Sequence, residues 1–406
     1  MLDQSINPKS LEFAISPNEW IKYPDKFING DSAVIDDCMT FYQSGRGFPL
    51  LTSKPLYGNP IYTIDDITSD IFLRRLNLTL KTINSARQND RSNIIKSIVS
   101  LLPDKRPYSV LRLDITKFYE SIDLDFIVNK ICTDSAYSSS TRDLLTKWAD
   151  CFKNSRVQGL PRGLSISSTL SEYFMRPFDK GVRNIGSVFY YARFVDDIII
   201  FTTENPETLL AEVEKLLPRC LTFSRKPGKK QKLPVSEWHK KSTQTYELDF
   251  LGYHFKLADS KGGRDLKIDL SESKKKKIKT RIVKSLLSFS KTSDFILLEK
   301  RIRFLTSNYY LFNKYRSTSI KTGIYYNYPH ITETADGSGL KALDDYLRNL
   351  IFSENTQEKC LGRKLSLNTS QKRQIVSFSF VEGFKKKLFH RFSPFLMKKI
   401  KRCWGF

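Results

Sequence analysis

The stretch that decides the fold runs from Tyr190 to Ile200 and reads YYARFVDDIII. Two adjacent aspartates, Asp196 and Asp197, stand inside a run of aromatic and aliphatic residues. Carboxylates are rarely buried unless paired or bound to a cation. The apolar segments on either side predict two strands joined by a hairpin turn at the aspartates. Asp is also common in exposed turns, so the pair alone fits a solvated turn as well as a charged site.

A second carboxylate source lies upstream. SVLRLDI, residues 109–115, is rich in Val, Leu and Ile and predicts a strand carrying Asp114 at its end. If the hairpin lies beside that strand, Asp114, Asp196 and Asp197 converge. Three clustered carboxylates cannot all stay ionised without a cation. Hard oxygen ligands suit Mg²⁺, with substrate phosphates completing its shell. Two such ions serve an in-line displacement, one at an attacking hydroxyl and one at leaving pyrophosphate.

Three further segments bear on the choice. In LRLDITKFYESI (111–122), Tyr119 sits five positions past Asp114. A ring there could lie beneath an incoming sugar and reject a 2′-hydroxyl, or it could pack a helix onto the sheet. QGLPRGLSISSTLSE (158–172) joins Gly159, Pro161 and Gly163 to a Ser-rich helix start. Glycines admit close backbone approach, a helix N-terminus favours phosphate, and Arg162 could stack on or bond a nucleotide. The plainer reading is a capped helix with Ser167 or Ser168 as N-cap. LDFLGYHF (248–255) is a strand interrupted by Gly252, which marks a bulge, a close approach or a plain edge strand.

Elsewhere the pattern is coarser. Residues 1–60 read as an irregular arm with short elements. Residues 64–102 read as two helices broken near RQNDRS. DLDFIVNKIC, TRDLLTKWADCF and PETLLAEVEKLLPRCL have helical spacing. The order strand, helices, hairpin, helix, strand predicts an α+β fold with a ferredoxin-like core. From about residue 271 the pattern is mainly helical, beginning with the basic amphipathic SESKKKKIKTRIVKSLLSF.

The 406 residues carry a net charge of +24, unevenly spread. Residues 256–406 hold 33 Lys and Arg against 13 Asp and Glu, while residues 1–255 hold 34 against 30. Aromatic residues interleave with the basic ones, as in SNYYLFNKYR, which suits a nucleic-acid backbone and stacked bases. A solvated basic face or an acidic membrane surface would also accept such charge. No run of eighteen apolar residues predicts a membrane span, and no signal peptide opens the chain. Six scattered cysteines without C-x-x-C and only four histidines argue against zinc. Reduced thiols in a cytoplasmic protein are the expectation.

Taken in order, these segments resemble the motifs of reverse transcriptases. LRLDITKFYESI resembles motif A, GLPRGLSISSTLSE motif B, FVDD the x-x-D-D box of motif C and FLGYHF the primer grip, together spanning roughly 105–255. The resemblance implies a right-hand polymerase. Fingers elements would fall within 1–108, the palm with interspersed fingers segments within 109–255, and a basic, mainly helical thumb and C-terminal region within 256–406. Asp114 and Asp196 would be the principal ligands of two Mg²⁺ ions, with Mn²⁺ an acceptable substitute. Asp197 and the backbone carbonyl of Ile115 would support them. Tyr119 matches the steric gate; Phe118, Arg162 and Gly163 would join it around the nucleotide. Leu251, Gly252 and Tyr253 would grip the primer. Of the basic residues Arg87, Arg91 and Lys96, the last two are the candidates for the triphosphate. Lys226, Lys229 and Lys230 compete for the motif D lysine that could act as general acid toward pyrophosphate.

The departures from the common pattern are specific. Arg162 stands where most relatives carry Gln, Ser168 replaces a proline, and Phe194-Val195 replaces Tyr-Ala. With GIYYNYPHI (323–331), these resemble the bacterial defence-associated reverse transcriptases of the abortive-infection type. That subgroup implies an RNA-directed or untemplated DNA polymerase in antiphage defence, with dNTPs and an RNA template or associated RNA as partners. It also implies a homo-oligomer or a partner defence protein, and no membrane. Two alternatives stand beside it: a catalytically silent nucleic-acid-binding scaffold, and protein-primed or template-independent synthesis. The terminal GFKKKLFHRFSPFLMKKIKRCWGF would contact RNA or another subunit.

Overall fold

Strand β3 (Tyr108–Asp114) shows why the centre of the protein is a sheet. Its Val110, Leu111 and Leu113 have no exposed surface, so both faces of the strand are covered. In the computed structural model, which describes residues 3–15, 23–56, 58–84, 89–313, 318–352 and 365–405, the chain divides into two compact units. The first comprises residues up to Ile94 and Arg106–Glu237; the second comprises Ile95–Lys105 and the chain from Trp238.

In the first unit β1 (Thr52–Leu56) and β2 (Asn59–Thr63) form a separate hairpin. The central sheet adds β4 (Val188–Phe194), β5 (Asp197–Thr202) and β6 (Gln231–Val235) to β3, in the order β4-β5-β3-β6, all antiparallel. Helices connect β3 to β4 and β5 to β6, so the path is βαββαβ, but its closing strand is β6 and not the expected 248–255 segment, which pairs in a separate sheet. Register divides the side chains cleanly. Leu111 faces Ile200 and Leu113 faces Ile198, and all four join the helix-packed core. Asp114 faces Asp197, and Arg112, two residues back, shares their side of the sheet. The long helix Ser165–Arg183 buries Ile166, Leu170, Phe174 and Phe178 at helical spacing in that core.

The second unit contains a three-stranded meander: β7 (Thr245–Phe250), β8 (Tyr253–Ser260) and β9 (Gly263–Leu270). The basic helix Glu272–Thr292 and the helix Phe295–Thr306 follow. A second sheet of β10 (Asn308–Asn313), β11 (Thr318–Gly323) and β12 (Phe389–His390) has the order β11-β10-β12. The helix Gly339–Phe352 buries Leu340, Leu343, Leu347 and Ile351 along one stripe. Its Asp344 accepts hydrogen bonds from the Ser379 hydroxyl at 2.6 Å and the Phe380 backbone at 2.6 Å.

Several expectations are corrected. The N-terminal arm contains a thirteen-residue helix, Asp31–Gln43, and the β1–β2 hairpin. The helix buries only Val34, Ile35 and Cys38, a stripe too thin to show as a period. The helix after the Gly/Pro loop starts at Ser165 with Leu164 in the cap position, so neither Ser167 nor Ser168 caps it. Ser167 instead donates to the Pro161 carbonyl at 2.6 Å, and Ser168 donates to that of Ser165 at 2.9 Å. Gly252 is no bulge: with Leu251 it forms the two-residue turn between β7 and β8, both at positive φ (45° and 85°) as in a type I′ hairpin. The mainly helical region after 271 also contains three strands that were not expected, β10, β11 and β12, paired across more than sixty residues of chain. Five cysteines, at 38, 132, 151, 220 and 403, are free thiols; Cys360 and Arg87 lie outside the described residues. No helix of the described residues is long and apolar enough to cross a membrane.

Candidate active site

The three aspartates lie at one end of the central sheet because of register. Asp114 ends β3, and Asp197 opens β5 directly opposite. Val195 and Asp196 form the turn between β4 and β5, with Val195 at φ 60°, a conformation β-branched residues seldom adopt. The Asp196 carbonyl accepts from the Ile115 amide at 3.1 Å, which ties the turn to the end of β3. On the other side of β3, the Ser224 amide donates to the Asp114 carbonyl at 2.7 Å. The turn is therefore held through its backbone, leaving the carboxylates to set the chemistry.

What keeps Val195 in place is a buried charge cluster that the sequence analysis missed. Arg193 lies on the helix-packed face of β4, 2% exposed. Its guanidinium donates to Glu172 at 2.8 and 3.0 Å, to Asp179 at 2.7 and 2.8 Å, and to the Val195 carbonyl at 3.1 Å. Glu172 and Asp179 are seven residues apart on the helix Ser165–Arg183, hence on one face. Burial raises the Glu172 carboxyl above its ordinary range against the opposing pull of Arg193. The available signal was a lone arginine at an inward position of an apolar strand.

The carboxylates repel one another. Burial first, then Asp197 and Asp114, push Asp196 up to about 6. Lys229 answers part of that charge, its Nζ standing 2.5 Å from Asp114 Oδ2. Arg112 Nη2 lies 3.9 Å from Asp197 Oδ1, and its Nη1 donates to the Gly228 carbonyl at 3.1 Å, holding the loop that carries Lys229. Lys226 is exposed and Lys230 lies 3.7 Å from Glu214, so of these three lysines Lys229 is the one that meets an aspartate of the cluster. Among the described residues no group of three or more His, Cys, Asp and Glu forms a ready-made metal cage. The donor chemistry nonetheless fits a hard divalent cation: oxygen ligands, mutual repulsion, and an ammonium already compensating one of them.

Tyr119 stands near this cluster. Burial, then the charges of Asp196 and Glu172, raise its phenol above the ordinary value. Arg162 Nη2 meets Glu120 Oε2 at 3.0 Å in a forked pair with Nε on Oε1, and its guanidinium lies 5.8 Å from the Tyr119 ring centre. Two glycines make this possible. A Cβ on Gly159 would fall 2.4 Å from the Tyr119 carbonyl oxygen, and one on Gly163 would fall 2.7 Å from that of Tyr62. A cleft of about 290 Å³ beside them is lined by Tyr62, Lys117, Glu120, Arg156, Gln158 and Arg162.

Other candidates fall elsewhere. Phe118 is 2% exposed in the core, so it supports Tyr119 from behind and offers a nucleotide no surface. Tyr253 is 1% exposed, packed against Phe255 and Tyr328; burial removes it from direct primer contact. Leu251, Gly252 and Tyr253 belong to the second unit. Arg91 opens the helix Arg91–Leu101 in the first unit, whereas the exposed Lys96 of the same helix belongs to the second.

Residues 68–255 match the family model described as reverse transcriptase (RNA-dependent DNA polymerase). The match covers somewhat less than half of the chain and lies on a mixed helix-and-strand fold. Among solved structures it is similar to apo telomerase from Candida tropicalis truncated from its C-terminal domain, at 13% identity and a TM-score of 0.36. That match covers 57% of this chain and 59% of the telomerase chain. Telomerase from Candida albicans, in complex with a fragment of telomeric RNA, is similar at 11% identity and a TM-score of 0.34, covering 91% of this chain and 67% of that one. No curated protein matches.

Proposed function

We propose that the protein is a DNA polymerase of the reverse-transcriptase type that extends a hydroxyl with dNTPs. The observation that carries this reading is the register pairing of Asp114 with Asp197, with Asp196 at the adjoining turn. Asp114, Asp196 and Asp197 would hold two Mg²⁺ ions, which when bound supply Lewis-acid stabilisation of the attacking and leaving oxygens. The chain's own groups do the rest. Tyr119 walls the sugar side of the nucleotide, and the Arg162–Glu120 pair keeps that wall in place. Lys229, now paired with Asp114, would give its proton to the departing pyrophosphate once released from that carboxylate.

The test is label incorporation by purified protein with dNTPs, Mg²⁺ and candidate RNA. Asp196→Ala/Asp197→Ala should abolish incorporation while the circular dichroism spectrum stays unchanged. Undiminished incorporation by that variant would sink the reading. Full biological activity without incorporation would favour the nucleic-acid-binding scaffold.

A specific observation favours untemplated or protein-primed synthesis as the mode. Arg162, at the position where the resemblance places a glutamine, is committed to Glu120 by a forked ion pair. Such a guanidinium is less able to adapt to a base or sugar than a neutral amide. Sequencing the product and probing it for attached protein decides the mode. The antiphage role rests on the motif departures at Arg162, Ser168, Phe194 and Val195; phage plating on cells expressing wild type and the double alanine variant tests it.

A further inference from the structure

The second unit contains a basic pocket that the polymerase reading does not use. Helix Glu272–Thr292 presents Lys274, Lys277 and Arg281 along one face, at i, i+3 and i+7. These three line a cavity of about 240 Å³ whose other wall includes Phe304, Tyr309 and Tyr328. None of the described residues that line it is acidic. On the neighbouring face of the same helix, Lys275 pairs with Glu272 and Lys279 lies 4.9 Å from the Tyr346 ring centre.

Two of the cations have contacts that position them, and Lys277 between them is exposed. The stem of Lys274 lies across Gly252, where an added Cβ would fall 2.6 Å from its Cε. The Arg281 guanidinium sits 5.4 Å from the Trp404 ring centre. Burial and the charge of Arg281 hold the Lys277 ammonium below its ordinary value, a strain that a bound anion relieves. The aromatic wall is also fixed. Phe304 stacks on Tyr309 with centres 4.2 Å apart, and Tyr328 meets Tyr253 edge-on at 5.6 Å.

We propose that this pocket binds a phosphate monoester: the 5′-phosphate end of a nucleic acid or a free nucleotide. A backbone diester carries one negative charge, whereas a terminal phosphate carries about −1.5 to −2 at neutral pH, a better match to three converging cations. The cavity is smaller than the roughly 300–1,000 Å³ of most small-molecule sites, which suits one nucleotide unit rather than a continuing strand. The aromatic wall offers the attached base or sugar a stacking surface.

The test needs no polymerase activity. Full-length protein is titrated against a short single-stranded oligonucleotide, labelled at its 3′ end, with a 5′-phosphate or a 5′-hydroxyl. The phosphorylated form should bind about tenfold more tightly, a difference of about 1.4 kcal/mol. Lys277→Gln/Arg281→Gln should remove that preference, while Lys276→Gln/Lys291→Gln, which do not line the cavity, should keep it. Lys274→Gln/Lys277→Gln serves as a second variant that spares the Arg281–Trp404 contact. Displacement by AMP identifies a free nucleotide as a ligand; displacement only by the phosphorylated oligonucleotide identifies a strand end. Equal affinity of wild type for the two oligonucleotides, or a preference that survives both pocket variants, overturns the proposal.

Discussion

Lys229 reaches across from the loop before β6 to place its ammonium 2.5 Å from the carboxylate of Asp114. This ion pair joins two residues 115 positions apart and links the loop to the end of the central strand. If Lys229 protonates the leaving group, Lys229→Ala should lower single-turnover incorporation by roughly two orders of magnitude. Lys226→Ala and Lys230→Ala should stay within a few-fold of wild type. Equal effects of all three substitutions would remove the special role of Lys229.

Arg193 should prove a stability determinant as well as a support for the aspartate turn. Arg193→Met leaves Glu172 and Asp179 buried without their common partner, a change worth about 3–5 kcal/mol. Urea unfolding should show that loss. Lysine at this position should recover only part of it, because it lacks the fork that reaches both acids and the Val195 carbonyl. A wild-type unfolding midpoint for Arg193→Met would contradict the assignment.

Gly159 and Gly228 offer a matched pair of substitutions. Both have positive φ, 66° and 74°, but only Gly159 is hemmed in, by the Tyr119 and Glu120 carbonyls. Gly228→Ala should cost about 1–2 kcal/mol for the left-handed conformation alone. Gly159→Ala should cost more and also displace Tyr119. Thermal unfolding ranks the two, and a changed selectivity between dNTPs and rNTPs in Gly159→Ala alone would report the displaced ring.

His254 and Asp249 face each other across β7 and β8, 2.9 Å apart. The Asp249 hydrogen bond raises the His254 imidazole above its ordinary value despite burial. A group raised on folding stabilises fully below its unfolded value, about 6.5, and that contribution disappears as pH rises through the folded value. The pair is partly exposed, so its worth is under about 1 kcal/mol. His254→Gln should therefore unfold more easily than wild type near pH 5 and match it at alkaline pH. A constant difference across that range would assign the contact to packing instead.

Much of the candidate site was legible in the chain. Asp114, Asp196 and Asp197 stood out because charge interrupts apolar strand patterns, and the order up to the hairpin followed from those patterns, but the closing strand β6 did not, because its Gln231-Lys232-Leu233-Pro234-Val235 carries little apolar alternation. The N-terminal helix Asp31–Gln43 was not legible, because only three of its residues are buried. The sequence placed both Tyr119, as the steric gate, and Phe118 around the nucleotide; packing put Phe118 in the core and left Tyr119 beside Asp196. Tyr253 carried the right motif position, but its ring is buried among other aromatics.

Local chemistry alone determined strands β3, β4 and β5, the hairpin turn at Asp196, the glycines of the loop before Ser165 and the basic character of residues 256–406. These depend on neighbours within a few positions or on composition. Tertiary structure alone decided that Lys229, rather than Lys226 or Lys230, meets Asp114, that Arg162 is bound to Glu120, and that Arg193 joins Glu172 and Asp179. It also decided that Lys274, Lys277 and Arg281 share a cavity. Each of those pairings is set by strand register and helix facing over long chain separations, and charge alone does not choose among several partners of the same sign.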